Sequence, residues 1–150
     1  MRPTISCRRA MVGPLRSVLV LDTHVWVKFV AGAPLSKSAR GAIERSSSSG
    51  RGVLIPAISL WEIARLAQDG RLLGERPTRW FDAALATVSG SLAAITPTIA
   101  IAAAGLSYHG DPADRLIMAT ALASDAVLVT RDAAILEYAS SRKELRILEA

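Results

Sequence analysis

Short apolar runs rich in β-branched residues recur along this chain, each followed or preceded by a helical segment, and this alternation narrows the possible folds more than any other feature. The runs are Ser17-Val-Leu-Val-Leu-Asp22, Val53-Leu-Ile55, residues 91–95, Ala126-Val-Leu-Val-Thr130 and Leu145-Arg-Ile-Leu148. They read as strands. Residues 23–30, 36–46, 59–68, 77–87, 98–106, 111–124 and 132–139 read as helices, and Ser46 to Gly50 as a loop. Pro77 suits the first turn of its helix. Strands that alternate with helices need crossover connections. The expectation is therefore an α/β fold of three layers, with a central, mostly parallel, five-stranded sheet flanked by helices.

A chain of 150 residues favours one domain, and 51% hydrophobic residues are enough for a packed core. Cys7 is the only cysteine, so no internal disulfide and no cysteine-based zinc cage can form, in keeping with a reducing cytoplasm. The longest mostly apolar stretch, 92–106, contains Pro97 and is too short to span a bilayer. The formal charge of +5 is misleading as a nucleic-acid signal. Arg2, Arg8, Arg9 and Arg16 lie in an acid-free opening segment, and without them 14 basic residues face 13 acidic ones. Any contact with a polyanion must come from local clusters. Residues 1–16 read as a basic, disordered tail, with a nucleic-acid-touching arm or a start upstream of Met11 as other readings; residues 17–150 read as the domain.

Four acids stand where the chain leaves strands or opens helices. Asp22 ends the first strand, Glu62 lies in the first turn after the second, and Asp132 follows the fourth. In an open parallel sheet those positions converge on one edge. Asp114 opens a helix whose predecessor is not a strand, so connectivity alone does not bring it there. Carboxylates crowded at one edge repel and need a cation unless some protonate. Oxygen-only ligands without a cysteine or histidine cluster favour Mg²⁺ or Mn²⁺ over zinc. Each acid also has a plainer reading. Ser59-Leu-Trp-Glu62 is a capping box, Asp111 is a natural N-cap ahead of Pro112, Asp114 suits a first helical turn, and Asp132 is a plausible cap. Spacing leaves the ligand and cap readings equally open.

The segment from Val18 to Leu148 resembles the PIN-domain ribonucleases, and among them the VapC-type toxins of bacterial toxin–antitoxin pairs. The pieces that carry the resemblance are Leu21-Asp-Thr-His-Val-Trp26, Ile58-Ser-Leu-Trp-Glu-Ile-Ala64, His109-Gly-Asp-Pro-Ala-Asp-Arg-Leu-Ile117 and Leu128-Val-Thr-Arg-Asp132, in the family's order. The resemblance implies a PIN-like fold and an acid site formed by Asp22, Glu62, Asp114 and Asp132. It implies Mg²⁺, with Mn²⁺ as substitute, and hydrolysis of phosphodiester bonds in tRNA, rRNA or mRNA. Asp111 falls on a cap or outlying position. Thr23, Ser59 and Thr130 stand beside the acids as hydroxyls that could orient them, and Arg115 and Arg131 could touch the RNA backbone. The implied partners are a cognate antitoxin and a second copy of the chain, in a cytoplasmic hetero-oligomer. Trp61, Trp80, Phe81 and the apolar face of 98–106 read as core. His24 reads as helix packing and His109 as a loop residue, since two lone histidines make no zinc motif.

Other functions make different demands. A catalytically idle PIN-like module for binding RNA or protein predicts the loss of one or more acids, and none is missing. An aspartyl-nucleophile phosphatase usually carries a second aspartate two residues after the first, where this chain has His24. A nuclease acting on DNA is compatible with the same residues.

Overall fold

The computed structural model describes residues 17–50, 52–71 and 76–150. The basic opening segment, 1–16, lies outside the described residues. In chain order the elements are β1 (Leu19–Leu21), α1 (Thr23–Val30), α2 (Lys37–Ser49), β2 (Val53–Pro56), α3 (Ile58–Gln68), α4 (Pro77–Thr87), β3 (Gly90–Ala93), α5 (Pro97–Gly105), α6 (Pro112–Ala123), β4 (Val127–Thr130), α7 (Ala133–Ser140) and β5 (Arg146–Glu149). The strands form one sheet in the order β3-β2-β1-β4-β5, and every pairing is parallel. None of the described helices is long and apolar enough to cross a membrane.

The pleat sorts the side chains of the inner strands into two cores. Leu19 and Leu21 of β1, Val53 and Ile55 of β2, and Val127 and Val129 of β4 face one side. There they meet Trp26 of α1, Ile43 of α2, Ile63 of α3 and Ala84 of α4. Val20, Leu54 and Leu128 point the other way, against Ile117 and Met118 of α6 and Ile135 of α7. Successive side chains of a strand point to opposite faces, so an unbroken apolar run is what a strand covered by helices on both sides requires. Trp26 is fully enclosed, its Nε1 donates to Ala84 O at 3.2 Å, and Trp80 packs edge-on against it at 5.1 Å. These contacts lock α1, and hence its first turn, against α4.

The serine run from Ser46 to Gly50 departs from the loop expected there. It is the last turn of α2, which ends at Gly50 in the left-handed conformation, φ 65°. Ser47 Oγ donates to Ile43 O and to Val88 O, and Ser48 Oγ to Glu44 O. Hydroxyls that bond back to a carbonyl four residues earlier satisfy themselves within the helix instead of competing with it.

Candidate active site

Chain connections leave β1 and β4 in opposite directions. β1 leads outward through β2 to β3, while β4 leads to β5 on the other side. Such a point leaves a crevice beyond the carboxyl ends of the two central strands, where open α/β sheets place their sites. Asp22 stands there. Its backbone N–H donates to Val129 O at 3.0 Å, which ties it to β4. It holds the N-cap position of α1, yet its side chain makes no cap bond. The carboxylate is 4% exposed and receives the Thr130 hydroxyl on Oδ2 at 2.6 Å.

Glu62 comes in from α3. Thr23, the first residue of α1, holds it: Thr23 Oγ1 is hydrogen-bonded to Glu62 Oε2 and lies 2.7 Å from Ser59 Oγ. A hydroxyl has one proton and an ionised carboxylate can only accept. Thr23 therefore donates to Glu62, and Ser59 supplies the proton of the second bond. The capping box read from Ser59 and Glu62 does not form. The helix starts one residue earlier, its N-cap Ala57 makes no side-chain cap bond, and Ser59 is enclosed against Thr23.

Asp114 is delivered by packing rather than by a strand. Its helix α6 lies on the sheet, with Ile117 and Met118 against Val20 and Leu128. The Tyr108 hydroxyl donates to Asp114 Oδ2 at 2.9 Å, and the Tyr108 ring packs edge-on against Tyr138 at 5.4 Å. Asp111 is the N-cap of α6, accepting from Ala113 N at 2.8 Å. Asp132 is likewise a cap: its Oδ1 accepts from Ala134 N and Ile135 N, at 2.9 and 3.0 Å. Both bonds fall on one oxygen, so capping does not exclude a second task for Oδ2.

The electrostatics join these acids. Burial, before anything else, raises the Asp22 carboxyl above the usual carboxylate range; Asp132 adds to the rise, and the Thr130 bond and His24 oppose it. Glu62 is raised by burial, then by Asp22 and Asp111, against the Thr23 bond and His24. Asp114 is raised to about 6 by burial and by repulsion from Asp22, Asp132 and Asp111, against the Tyr108 bond. Burial raises the Tyr108 phenol as well, and the proton it gives to Asp114 raises it further. Among the described residues the ion pair within 4 Å is Arg146 with Asp125, so no described lysine or arginine pairs with Asp22, Glu62, Asp114 or Asp132. No three acids among the described residues are drawn in to the spacing of a ready metal cage. They stand as mutually repelling neighbours, and their anchoring bonds leave Glu62, Asp114 and Asp132 each with one oxygen not used in those bonds. An oxygen-only donor set, buried at Asp22, half-buried at the other three and short of positive charge, fits a hard divalent cation.

Two expectations need correction. His24 does not pack inside: it is exposed and lines an open cavity of about 280 Å³ with Glu62, Arg65, Arg71 and Asp111. Trp61 is not a core residue but is 54% exposed, whereas Trp80 and Phe81 do pack on the core. His109 is exposed in its loop. Arg131 is exposed, and Arg115 is half-buried with its Nε enclosed and unpartnered. The sequence pattern does not single out Tyr108. Its only signal is a phenol placed six residues before an acid, with nothing local to say that the two meet.

A parallel five-stranded sheet with Asp22 at the β1/β4 crevice defines the class, and a family model of the PIN domain matches residues 19–140. The chain belongs to the PIN-domain family and, within it, to the VapC-type branch. Ribonuclease VapC22 of Mycobacterium tuberculosis is 37% identical over 119 residues, spanning 77% of this chain and 88% of the relative. Two solved structures share the fold at lower identity. VapBC2 from Rickettsia felis, bound to a DNA fragment from their promoter, has a TM-score of 0.66 at 16% identity, covering 88% of this chain and 98% of that one. DNA-bound VapBC from Salmonella typhimurium has a TM-score of 0.63 at 18% identity, covering 89% and 98%.

Proposed function

We propose that residues 17–150 form a divalent-metal-dependent endoribonuclease, the toxin of a toxin–antitoxin pair. The observation that carries this reading is Asp22: a carboxylate almost wholly enclosed at the end of a central strand, without a lysine or arginine partner among the described residues, and in the field of Asp132. A binding-only module has no use for so costly a group. Asp22, Glu62, Asp114 and Asp132 would hold Mg²⁺, or Mn²⁺ in its place. When bound, such a cation supplies the Lewis acidity that water needs to attack a phosphodiester at neutral pH and that the leaving oxygen needs to depart. Thr130 and Thr23 set the carboxylates of Asp22 and Glu62, and Tyr108 sets that of Asp114. The VapC22 relative is named a ribonuclease, which favours RNA as the substrate. The solved relatives are VapBC complexes, which favours an antitoxin partner and a hetero-oligomer; a homodimer within it follows from the family resemblance alone. Such a protein would work in the cytoplasm, where its RNA is.

The test is cleavage of total RNA and of single-stranded DNA by the purified protein, with Mg²⁺, with Mn²⁺ and with EDTA. RNA loss that needs the metal and spares DNA is expected. Cleavage that survives EDTA, or that an Asp22→Asn protein performs equally well, would exclude this site.

Tyr108→Phe checks the metal reading separately. It keeps the ring packed edge-on against Tyr138 and removes the proton that Tyr108 gives to Asp114. A hydrogen bond to a charged group contributes about 1.5 kcal/mol, so Mn²⁺ binding in a calorimetric titration is expected to weaken about tenfold. Unchanged affinity would place Asp114 outside the metal's ligand set.

A further inference from the structure

We infer that Trp61 is a stacking platform for an unpaired nucleobase next to the phosphodiester that is cut, with Arg65 and Arg71 beside it for the flanking phosphates. This rests on the ribonuclease reading and names the form of RNA the site accepts. Of the three tryptophans, Trp26 is fully enclosed and Trp80 packs on it, while Trp61 is more than half exposed on α3. Among the described residues it is the largest apolar side chain left in water, and packing on the core gives no reason for its place. Its neighbours give one. The next residue is Glu62, one of the candidate ligands. Trp61 also forms a wall of two adjoining hollows. One is the polar cavity that holds His24, Glu62, Arg65, Asp69, Arg71 and Asp111; the other, of about 610 Å³, is lined mainly by apolar groups, among them Ile58, Ile95, Pro112 and Leu116.

Arg65, one helical turn after Trp61, holds its guanidinium 5.0 Å from the ring centroid. An aromatic face partnered by a cation, beside a site that acts on phosphate, matches what a nucleotide offers: a flat base with an anion attached. Arg65 and Arg71 are the arginines of that wall, beside the carboxylates of Glu62, Asp69 and Asp111. A base can lie on a side chain only if it has left its own helix, so the platform selects loops and single strands over duplex RNA.

The experiment is anisotropy binding in Mn²⁺ on the Asp22→Asn background, so that RNA is not consumed. The probes are a short labelled oligoadenylate, an abasic ribose-phosphate oligomer of equal length, and a duplex. Adding Trp61→Ala is expected to weaken oligoadenylate binding about tenfold while sparing the abasic oligomer. Trp61→Phe should retain most of the affinity, and the thermal midpoint of both variants should stay put. Equal losses on oligoadenylate and abasic oligomer would overturn the platform. So would no loss on either, which would assign the ring to a protein segment lying in the apolar hollow. If the Asp22→Asn protein with Trp61 intact binds none of the probes while the unmutated protein still cuts RNA, the platform alone is lost. If the unmutated protein neither binds nor cuts RNA, the ribonuclease reading itself has failed.

Discussion

Replacing Asp22 by asparagine should give a protein at least about a thousandfold slower on RNA and, in EDTA, more resistant to heat than the original. Both effects have one cause. Burial raises the Asp22 carboxyl, which means that the folded state disfavours its ionised form. At neutral pH that form is nevertheless imposed, and asparagine removes the charge without changing the shape. Thr130 can still donate to the amide oxygen, while the new amide hydrogens sit in the field of carboxylates. Activity moves the other way. A ligand that holds the cation contributes several kcal/mol to the transition state, and losing about 4 kcal/mol is about a thousandfold in rate. Paired measurements of cleavage rate and of melting in EDTA check this. A variant as active as the original, or one that melts earlier in EDTA, would remove Asp22 from the centre of the site.

Asp22 was legible from sequence because β1 is covered on both sides. An unbroken apolar run ending in an acid leaves little doubt where the chain emerges, and the crossovers then send the ends of β2 and β4 to the same edge. Asp114 was not legible in that way. It reaches the edge because α6 packs on β1, β2 and β4, a tertiary fact that no local pattern announces. The caps show the limit from the other side. Asp111 and Asp132 have cap chemistry and use it, whereas Ser59 and Glu62 have the capping-box spacing and do not, since Thr23 offers both a better bond. Local signals rank the options of a residue; packing chooses among them.

The serine run and the two exposed side chains were misread for a related reason. Serine after serine looks like a loop, yet the hydroxyls of Ser47, Ser48 and Ser49 each find a carbonyl of their own helix, and Ser47 also reaches Val88 O across to the turn after α4. Tryptophan, and histidine inside a helical pattern, usually pack, and that expectation fails at Trp61 and His24. Both instead line the hollow beside Glu62. Residues that break the burial rule at a strand-end crevice are the ones a sequence reading is least equipped to see, and they are where function is concentrated.

The acid site should also make the protein's response to metal depend steeply on pH. Asp114 is raised from 3.8 to about 6 in the folded chain, and burial raises Asp22 and Glu62 in the same direction. A carboxyl with a raised folded pKa keeps its proton longer in the folded state than in the unfolded one. Without metal, the folded chain then binds more protons, and stability falls as pH rises from about 4 to about 6, with the penalty complete above that. For Asp114 the shift corresponds to at most about 3 kcal/mol, and solvent at this half-buried position reduces it. A divalent cation must displace the same proton, so its affinity runs the opposite way: between pH 7 and pH 5 Asp114 alone weakens Mn²⁺ binding about tenfold. The difference in melting temperature between Mn²⁺ and EDTA should therefore be several degrees at pH 7.5 and close to nil at pH 5. Asp114→Asn supplies the control for this group, since it should lessen the metal-free decline between pH 4 and 6 and leave the share that Asp22 and Glu62 contribute. A metal effect of equal size at both pH values would mean that the cation does not displace protons from these acids, and that the charge they crowd together is balanced by something else.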